Sequence, residues 1–351
     1  MAASAPPPSR MTTVLKWVGA ASAVLSLGFA LQKVADTVSD RRERRRVVAE
    51  QLAAARLQEE GGSYDAAWAA LEQAAARDPG SDELRLARES LGMHWLRDVR
   101  AREGGPSFSD IVGTVQPVLA VGASRAEGQR RADLLAHVGW ADFLRWRDGA
   151  RELRPEARYR EALAADSGNV YAHAFLAHWL SWRDGDGAEV RRHFEAALAG
   201  DRERDFVRRL QFSAAHNRSD DAGDAALMQL AVALHRGRES PGEGWPRELV
   251  SAYDRRWRTL CRDAGRGPRA DTAALAGEAA SSHAATLAWL AAMGPAADLD
   301  VLAAGFYHAC ALELAARPDS ALAAYRTLRP TIPQLSTYAR DVDAAVRRLA
   351  R

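Results

Sequence analysis

Residues 169–201 hold the densest set of side chains that could do chemistry, because three histidines and two tryptophans occur in one run. Histidine binds zinc or transfers protons near neutral pH. His173 and His178 are five positions apart, about 140° around a helix, so their rings would not converge on one metal ion. His193 follows a polar turn and would belong to the next helix. We expect hydrogen-bonded packing histidines here, with no metal and no cofactor.

The familiar catalytic motifs are missing from the sequence. It contains no G-x-x-x-x-G-K-[ST] phosphate loop, no G-x-S-x-G nucleophile elbow and no H-E-x-x-H zinc motif. Its two cysteines, Cys261 and Cys310, form neither a C-x-x-C pair nor a metal-ligand spacing. Such sparse use of cysteine suits a reducing compartment, although an oxidising one stays open. The sequence therefore predicts a protein that is not an enzyme.

The composition predicts an all-α fold. Hydrophobic residues make up 47% and charged residues 27% of the 351 positions, which is ordinary for a folded protein. Alanine, leucine, arginine and glutamate dominate, and all four favour helices over strands. The net charge is +2, but residues 41–46, RRERRR, alone carry five arginines and one glutamate, so the rest is about −2. This balance argues against a nucleic-acid-binding body, which would spread basic residues over one face.

Residues 12–32 are predicted to be a single membrane-spanning anchor that follows a disordered, Pro-rich tail, residues 1–11. As a helix these 21 residues would be about 31 Å long, which matches a hydrocarbon core of about 30 Å. A cleaved signal peptide would need an A-x-A-like site, which the following residues do not offer. A buried core helix fits less well, because the segment precedes the folded body and a charged block follows it.

The charges on either side of residues 12–32 predict the orientation. Arg10 and Lys16 precede or begin the segment, whereas the basic juxtamembrane segment, residues 33–46, contains Lys33 and the five arginines. Because basic residues stay on the cytoplasmic side, the body is predicted to lie in the cytoplasm. Small residues recur every fourth position at Ser22, Ser26 and Ala30, a spacing found where membrane helices pair. This spacing suggests a homodimer that forms through the anchor.

Residues 54–81 resemble one unit of the tetratricopeptide (TPR) repeat, a helix–turn–helix of 34 residues. In that family small residues let the two helices touch, and a proline closes the unit. The resemblance therefore implies that body helices pair antiparallel and stack into a solenoid. The residues that match the motif, and that the resemblance implies are packing residues, are Ala55, Tyr64, Ala67, Leu71, Ala74 and Pro79.

Further copies of the same pattern occur later in the chain. Tyr159 and Ala162 are each followed 35 positions later by equivalents, Phe194 and Ala197. On this pattern residues 47–201 are TPR-like repeats with irregular helices, residues 202–301 are irregular or degenerate repeats, and residues 302–351 are a last repeat with a capping helix. The residues that match the motif in the last repeat are Ala309, Ala321, Tyr325 and Pro333.

The aromatic residues of the 169–201 stretch have two interpretations. If the helix keeps the register of the repeat, Phe175, Trp179, Trp182 and Arg183 face the concave groove. Tryptophans beside an arginine are typical anchors of binding energy at interfaces, so these four are the candidate partner-binding residues. In the other interpretation they pack between neighbouring repeats, because tryptophan buries a large apolar area. A register shift of one residue is enough to move Trp179 into the core.

Together these patterns predict a membrane-anchored scaffold that recruits an unidentified protein or peptide through a helical-repeat surface. Two alternatives stay open. Residues 205–300 could form a pocket-bearing enzyme or ligand sensor, or the same scaffold could face the periplasm and assist envelope assembly.

Overall fold

The structure, a computed structural model, consists of helices and connecting turns. In the part of the chain that it describes there are fifteen α-helices and no strand, so the prediction of an all-α fold is confirmed. The described positions are 32, 33, 39, 42–99, 108–200, 202–218, 220–239, 245–262, 272–293, 301–334 and 337–351.

The chain divides into two compact units, residues 1–153 and 154–351. Within each unit the helices from Tyr64 onward pack against the next one along the chain, and several also contact the next but one. This is the arrangement of a helical repeat. The helices of unit 1 are α1 (42–60), α2 (Tyr64–Arg77), α3 (Asp82–Arg97), α4 (Phe108–Arg125) and α5 (Gly128–Arg147).

Unit 2 contains ten α-helices and a 3-10 helix (Arg329–Thr331) within its described residues. The α-helices are α6 (Pro155–Ala165), α7 (Val170–Trp182), α8 (Gly187–Ala199), α9 (Arg204–His216), α10 (Asp221–Gly237), α11 (Trp245–Arg262), α12 (Thr272–Met293), α13 (Val301–Leu314), α14 (Pro318–Leu328) and α15 (Thr337–Leu349).

Polar residues at the turns explain where several helices begin. The side chains of Asn169, Asp186 and Asp220 accept hydrogen bonds from backbone N–H groups in the first turns of α7, α8 and α10. These N–H groups have no partner within the helix, so each cap stabilises its helix by about 1 kcal/mol. Pro155 occupies the first position of α6, where a missing N–H costs nothing.

In unit 1, α3 and α4 approach closely at two glycines. A Cβ atom on Gly92 would lie 2.8 Å from Val115, and one on Gly122 would lie 2.7 Å from the Glu89 carboxyl group. Glu89 is fully buried and forms ion pairs with Arg85, at 2.9 Å, and with Arg130. Gly122 therefore makes room on α4 for a buried carboxylate that α3 contributes and two arginines neutralise.

The α9–α10 hairpin of unit 2 is held by one carboxylate. Glu239, just after α10, forms ion pairs at 2.8 Å with both Arg204 and Arg208 in the first turns of α9. These hydrogen bonds, that of Arg208 foremost, lower the pKa of Glu239 to about 2. The end of α10 is thereby tied to the start of α9, so the two helices run antiparallel.

Most of the predicted packing residues are buried. The buried ones are Ala55, Ala67, Leu71, Ala74, Tyr159, Ala162, Phe194, Ala197, Ala309, Ala321 and Tyr325. Tyr64 is half-buried and its hydroxyl donates to Asp98 at 3.4 Å, whereas Pro79 and Pro333 are exposed in turns. Alanine suits the buried positions because a small side chain lets helix backbones approach each other.

The two cysteines form a disulfide that joins α11 to α13. Cys261 and Cys310 have Cα atoms 6.0 Å apart although they are 49 positions apart in sequence. The expectation of a reducing compartment, drawn from sparse cysteine usage, loses its basis here, because spacing along the chain does not reveal which cysteines meet in a fold. Closing a loop of this length stabilises the folded state by about 4 kcal/mol in the chain-entropy estimate.

No helix in the described ranges combines the length and the apolar character that crossing a bilayer requires. Several predictions fall outside the described residues. These are the tail (1–11), the anchor (12–32, apart from Gln32) and the small residues Ser22, Ser26 and Ala30. Parts of the basic segment, residues 34–38, 40 and 41, also fall outside them.

Candidate functional site

The candidate site is a cleft in unit 2, one half of which is apolar. Helices α8, α9 and α10 surround a cavity of about 260 Å³. Its polar lining includes Arg191, Arg218, Gln211 and Gln229. The apolar walls come from Val190 and Phe194 of α8, Ala214 and Ala215 of α9, and Ala222, Ala225 and Ala226 of α10.

A polar cavity of about 310 Å³ adjoins the apolar one. The two share Ser181, Ala214 and Arg218, so they form one continuous depression, which we call the α7–α10 cleft. The polar half is additionally lined by Trp182, Asp184, Asn217 and Asp220. The cleft thus combines an apolar pocket with a charged mouth, the usual layout of a binding site.

An ion pair between Arg218 and Asp220 lies where the two halves of the cleft adjoin. The Arg218 guanidinium lies 3.0 Å from the Asp220 carboxylate, and this hydrogen-bonded pairing raises the pKa of Arg218 and lowers that of Asp220. Asp220 also accepts a hydrogen bond from the backbone N–H of Gly223 at 2.9 Å. A Cβ atom on Gly223 would lie 2.2 Å from the Arg218 carbonyl oxygen, so only glycine fits this turn.

Trp182 is the predicted partner-binding residue that the structure brings to the cleft. Its side chain is 37% exposed, one of four large hydrophobic residues classed as exposed in the described ranges. The indole N–H donates to Nε2 of the buried His178 at 3.4 Å. This hydrogen bond restrains the orientation of the exposed indole ring, which suits an anchor for a partner. Arg183 is exposed beside it, at the end of α7.

Phe175 and Trp179 do not line the cleft, so the prediction that they face a groove is wrong. Phe175 is fully buried and packs edge-on against Phe206. Trp179 is 5% exposed, and its indole N–H donates to Glu156 at 3.4 Å. The reason is that α6, α8 and α9 all pack against α7, so the helix has little free surface. The packing interpretation applies to both residues.

The histidines of the 169–201 stretch form one pair. Nδ1 of His173 lies 2.8 Å from Nδ1 of His193, and Nε2 of His173 lies 3.0 Å from the Ser167 carbonyl oxygen. Because a carbonyl only accepts, His173 carries its proton on Nε2, and its Nδ1 accepts from His193. Burial, and next the nearby His173, lower the pKa of His193. Both rings therefore serve as hydrogen-bonded packing groups between α7 and α8.

A metal centre has no support among the described residues. There, no three histidine, cysteine, aspartate or glutamate side chains are grouped so that they could hold a metal ion. His178 lies apart from the other two histidines, beneath Trp182, where its Nε2 also faces the Ser213 hydroxyl at 3.5 Å. The 140° separation of His173 and His178 accounts for this division.

Most of the cleft was missed by sequence reasoning, because α9 and α10 carry no repeat motif that could be recognised. Residues Arg191, Gln211, Arg218 and Gln229 had no distinguishing pattern. The one available signal was Asp220, a helix-capping residue that precedes the Ala-rich run of α10. That signal predicts a helix start, but it says nothing about a cavity between helices.

The chain matches no protein-family model and no curated protein. Among solved structures it is similar to the crystal structure of the TPR domain of P58(IPK), with 14% sequence identity and a TM-score of 0.18. The similarity covers 86% of this chain and 98% of that one. The helical-repeat architecture itself follows from the helix packing described above.

Proposed function

We propose that the protein is an interaction scaffold whose α7–α10 cleft binds a segment of a partner protein. The observation that carries this proposal is the apolar cavity, which adjoins the polar cavity that the exposed Trp182 lines. Burying exposed apolar surface is the main driving force of association, and tryptophans are frequent centres of binding energy. Within a helical repeat, such a cleft is suited to an extended or helical segment of another chain.

The lining of the apolar half supports a side chain of another protein as its occupant. An enzyme or sensor in residues 205–300 is the other candidate, since α9 and α10 belong to that range. The apolar walls, however, are alanine, valine and phenylalanine, none of which transfers protons or attacks a substrate.

Photo-cross-linking in native membranes tests the scaffold. A photoreactive amino acid at position 182 should give one dominant adduct, and Ala222→Trp, which fills the cavity, should abolish it. Position 57 is the matched control, because Leu57 is 71% exposed and lies on α1, outside the cleft. Equal adducts at positions 57 and 182, or adducts at 182 that Ala222→Trp leaves unchanged, contradict the proposal.

We further propose that residues 12–32 anchor the scaffold in a membrane, for which the length of the segment and its basic flanks are the support. The intact protein should stay in the membrane pellet after a carbonate wash, and a chain that begins at residue 47 should be soluble. Release of the intact protein by carbonate contradicts the anchor.

Two observations bear on the side of the membrane. The basic segment 33–46 supports a body in the cytoplasm, the orientation that we propose. The Cys261–Cys310 disulfide favours a second candidate, the same scaffold in an oxidising compartment, where it could assist envelope assembly. A reporter that is active only in an oxidising compartment, fused after Arg351, distinguishes the two: silence supports the cytoplasm, and activity supports the second candidate.

A further inference from the structure

We propose that the segment bound in the α7–α10 cleft is an acidic peptide with one large apolar side chain. The apolar side chain fills the cavity between α8 and α10, and a neighbouring carboxylate of the peptide pairs with Arg191. This inference rests on the proposed function of the cleft as a protein-binding site.

The apolar part of the inference follows from what surrounds the cavity. α10 contributes the methyl groups of Ala222, Ala225 and Ala226 to its wall together with the polar Gln229, while Val190 and Phe194 of α8 add further apolar surface. No side chain of unit 2 occupies the space between these described residues, which has about 260 Å³. An aliphatic or aromatic side chain from another molecule would bury its own surface and that of the walls together.

The acidic part follows from the charges. Of the described residues that line the apolar cavity, the charged ones are Arg191 and Arg218, and none is a carboxylate. Arg218 is already paired with Asp220. Arg191 is exposed on α8, and no carboxylate stands among the described residues that line the cavity with it. A guanidinium at the edge of an apolar surface is a strong, geometrically specific site for a carboxylate.

The polar half of the cleft fixes the direction of the peptide. Asp184 lies there with Trp182 and with the Arg218–Asp220 ion pair, so this half has one net negative charge and would repel a peptide carboxylate. The acidic residue therefore lies toward Arg191, and the part of the peptide that passes Trp182 is neutral or basic. Charge complementarity of this kind mainly sets specificity and the rate of association, and it weakens as salt increases.

Selection from a display library of random peptides on the full-length protein in detergent micelles tests the inference. The library is first depleted on the Ala222→Trp variant, which fills the cavity from an exposed position. We expect the enriched peptides to carry aspartate or glutamate within a few positions of leucine, methionine, phenylalanine or tryptophan. Enrichment of basic or uncharged peptides, or of no peptide, overturns the inference.

The affinity of the best peptide, measured by fluorescence anisotropy, then tests each contact. Arg191→Glu and Ala222→Trp should each weaken binding at least tenfold. Arg192→Glu is the control, because this exposed neighbour on α8 does not line the cavity, and its affinity should stay within about twofold. Equal losses with Arg191→Glu and Arg192→Glu would show general attraction to basic residues and overturn the pairing with Arg191.

Failure of this inference is distinguishable from failure of the proposed function. If a partner cross-links at position 182 in a cavity-dependent manner but acidic peptides do not bind, the cleft is a binding site for a different chemistry. If neither occurs, both proposals are wrong. Thermal unfolding of each variant, followed by circular dichroism, ensures that lost binding does not reflect lost structure.

Discussion

Two places where helices line a common space differ in how that space is filled. Between α3 and α4 of unit 1, Gly122 makes room that the Glu89 side chain occupies. Between α8 and α10 of unit 2, alanines also make room, but no long side chain enters it, and a cavity remains. Small residues alone therefore do not determine whether the space between two helices is filled. That depends on whether the other helix contributes a side chain that occupies it.

The largest expected effect concerns the filled interface. Replacing both Arg85 and Arg130 by methionine leaves the Glu89 carboxylate buried without its two counter-charges. Losing the partners of a buried charge costs roughly 3–5 kcal/mol, so the free energy of unfolding, measured with urea, should fall by about that amount. Adding Glu89→Gln to the double variant should restore part of it, because a neutral amide costs less to bury. If Glu89→Gln brings no recovery, the carboxylate is not the source of the loss.

A comparable loss of stability is expected for one of two tryptophans in α7. Comparing the two variants distinguishes a core residue from a residue of the cleft. Trp179→Ala removes a buried ring and should cost roughly 3–5 kcal/mol. Trp182→Ala removes a partly exposed ring, so it should change stability much less while it weakens partner capture. The two melting temperatures and the cross-linking yields provide the comparison. Equal destabilisation by the two variants would mean that Trp182 is a core residue.

Acid should weaken unit 2 through a second histidine pair, with a smaller effect. His283 of α12 stacks on His308 of α13 with ring centroids 4.1 Å apart, and burial, then His308, lower the pKa of His283 to about 4. Since an unfolded histidine has a pKa near 6.5, the unfolded state binds the proton first. Stability is therefore full above pH 6.5 and is lost as the pH falls toward 4, by on the order of 2 kcal/mol after allowance for partial exposure.

Melting temperatures between pH 7.5 and pH 4 provide the measurement for this pair. In His283→Phe the ring cannot be protonated, so the melting temperature should fall less over this range. A His283→Phe curve that is parallel to that of the wild type would assign the acid sensitivity to other groups.

The smallest expected changes in the free energy of unfolding come from adding a side chain to each of the two places. Gly122→Ala places a methyl group 2.7 Å from the Glu89 carboxyl group and should cost about 1–3 kcal/mol. Ala226→Leu extends into the cleft cavity, so it should change the free energy of unfolding by less than ~1 kcal/mol, in either direction. Urea unfolding of both variants gives the comparison. A large loss for Ala226→Leu would mean that the cavity does not accept a side chain.

The sequence predicted the helices better than the site. The all-α class follows from composition, and small residues such as Ala67 and Ala197 mark where helices touch. The sequence left the burial of Phe175 as one of two interpretations, because it depends on α9 covering α7, and α9 has no repeat motif. The cleft was missed for the same reason, since its walls are ordinary alanines that become a cavity only through the spacing of α8 and α10. Trp182 was a candidate because the register of the repeat turns it toward the groove, beside Arg183.

The Cys261–Cys310 disulfide has a consequence for how unit 2 withstands proteases. The bond encloses the whole of α12 in a covalent loop that begins on α11 and ends on α13. A single cut anywhere inside this loop leaves the two fragments linked, so the helices before and after it stay at a high effective concentration and can remain packed. Nicked protein would migrate as two bands only after reduction. Damage to the loop therefore need not release α13 and the helices after it from the rest of the unit.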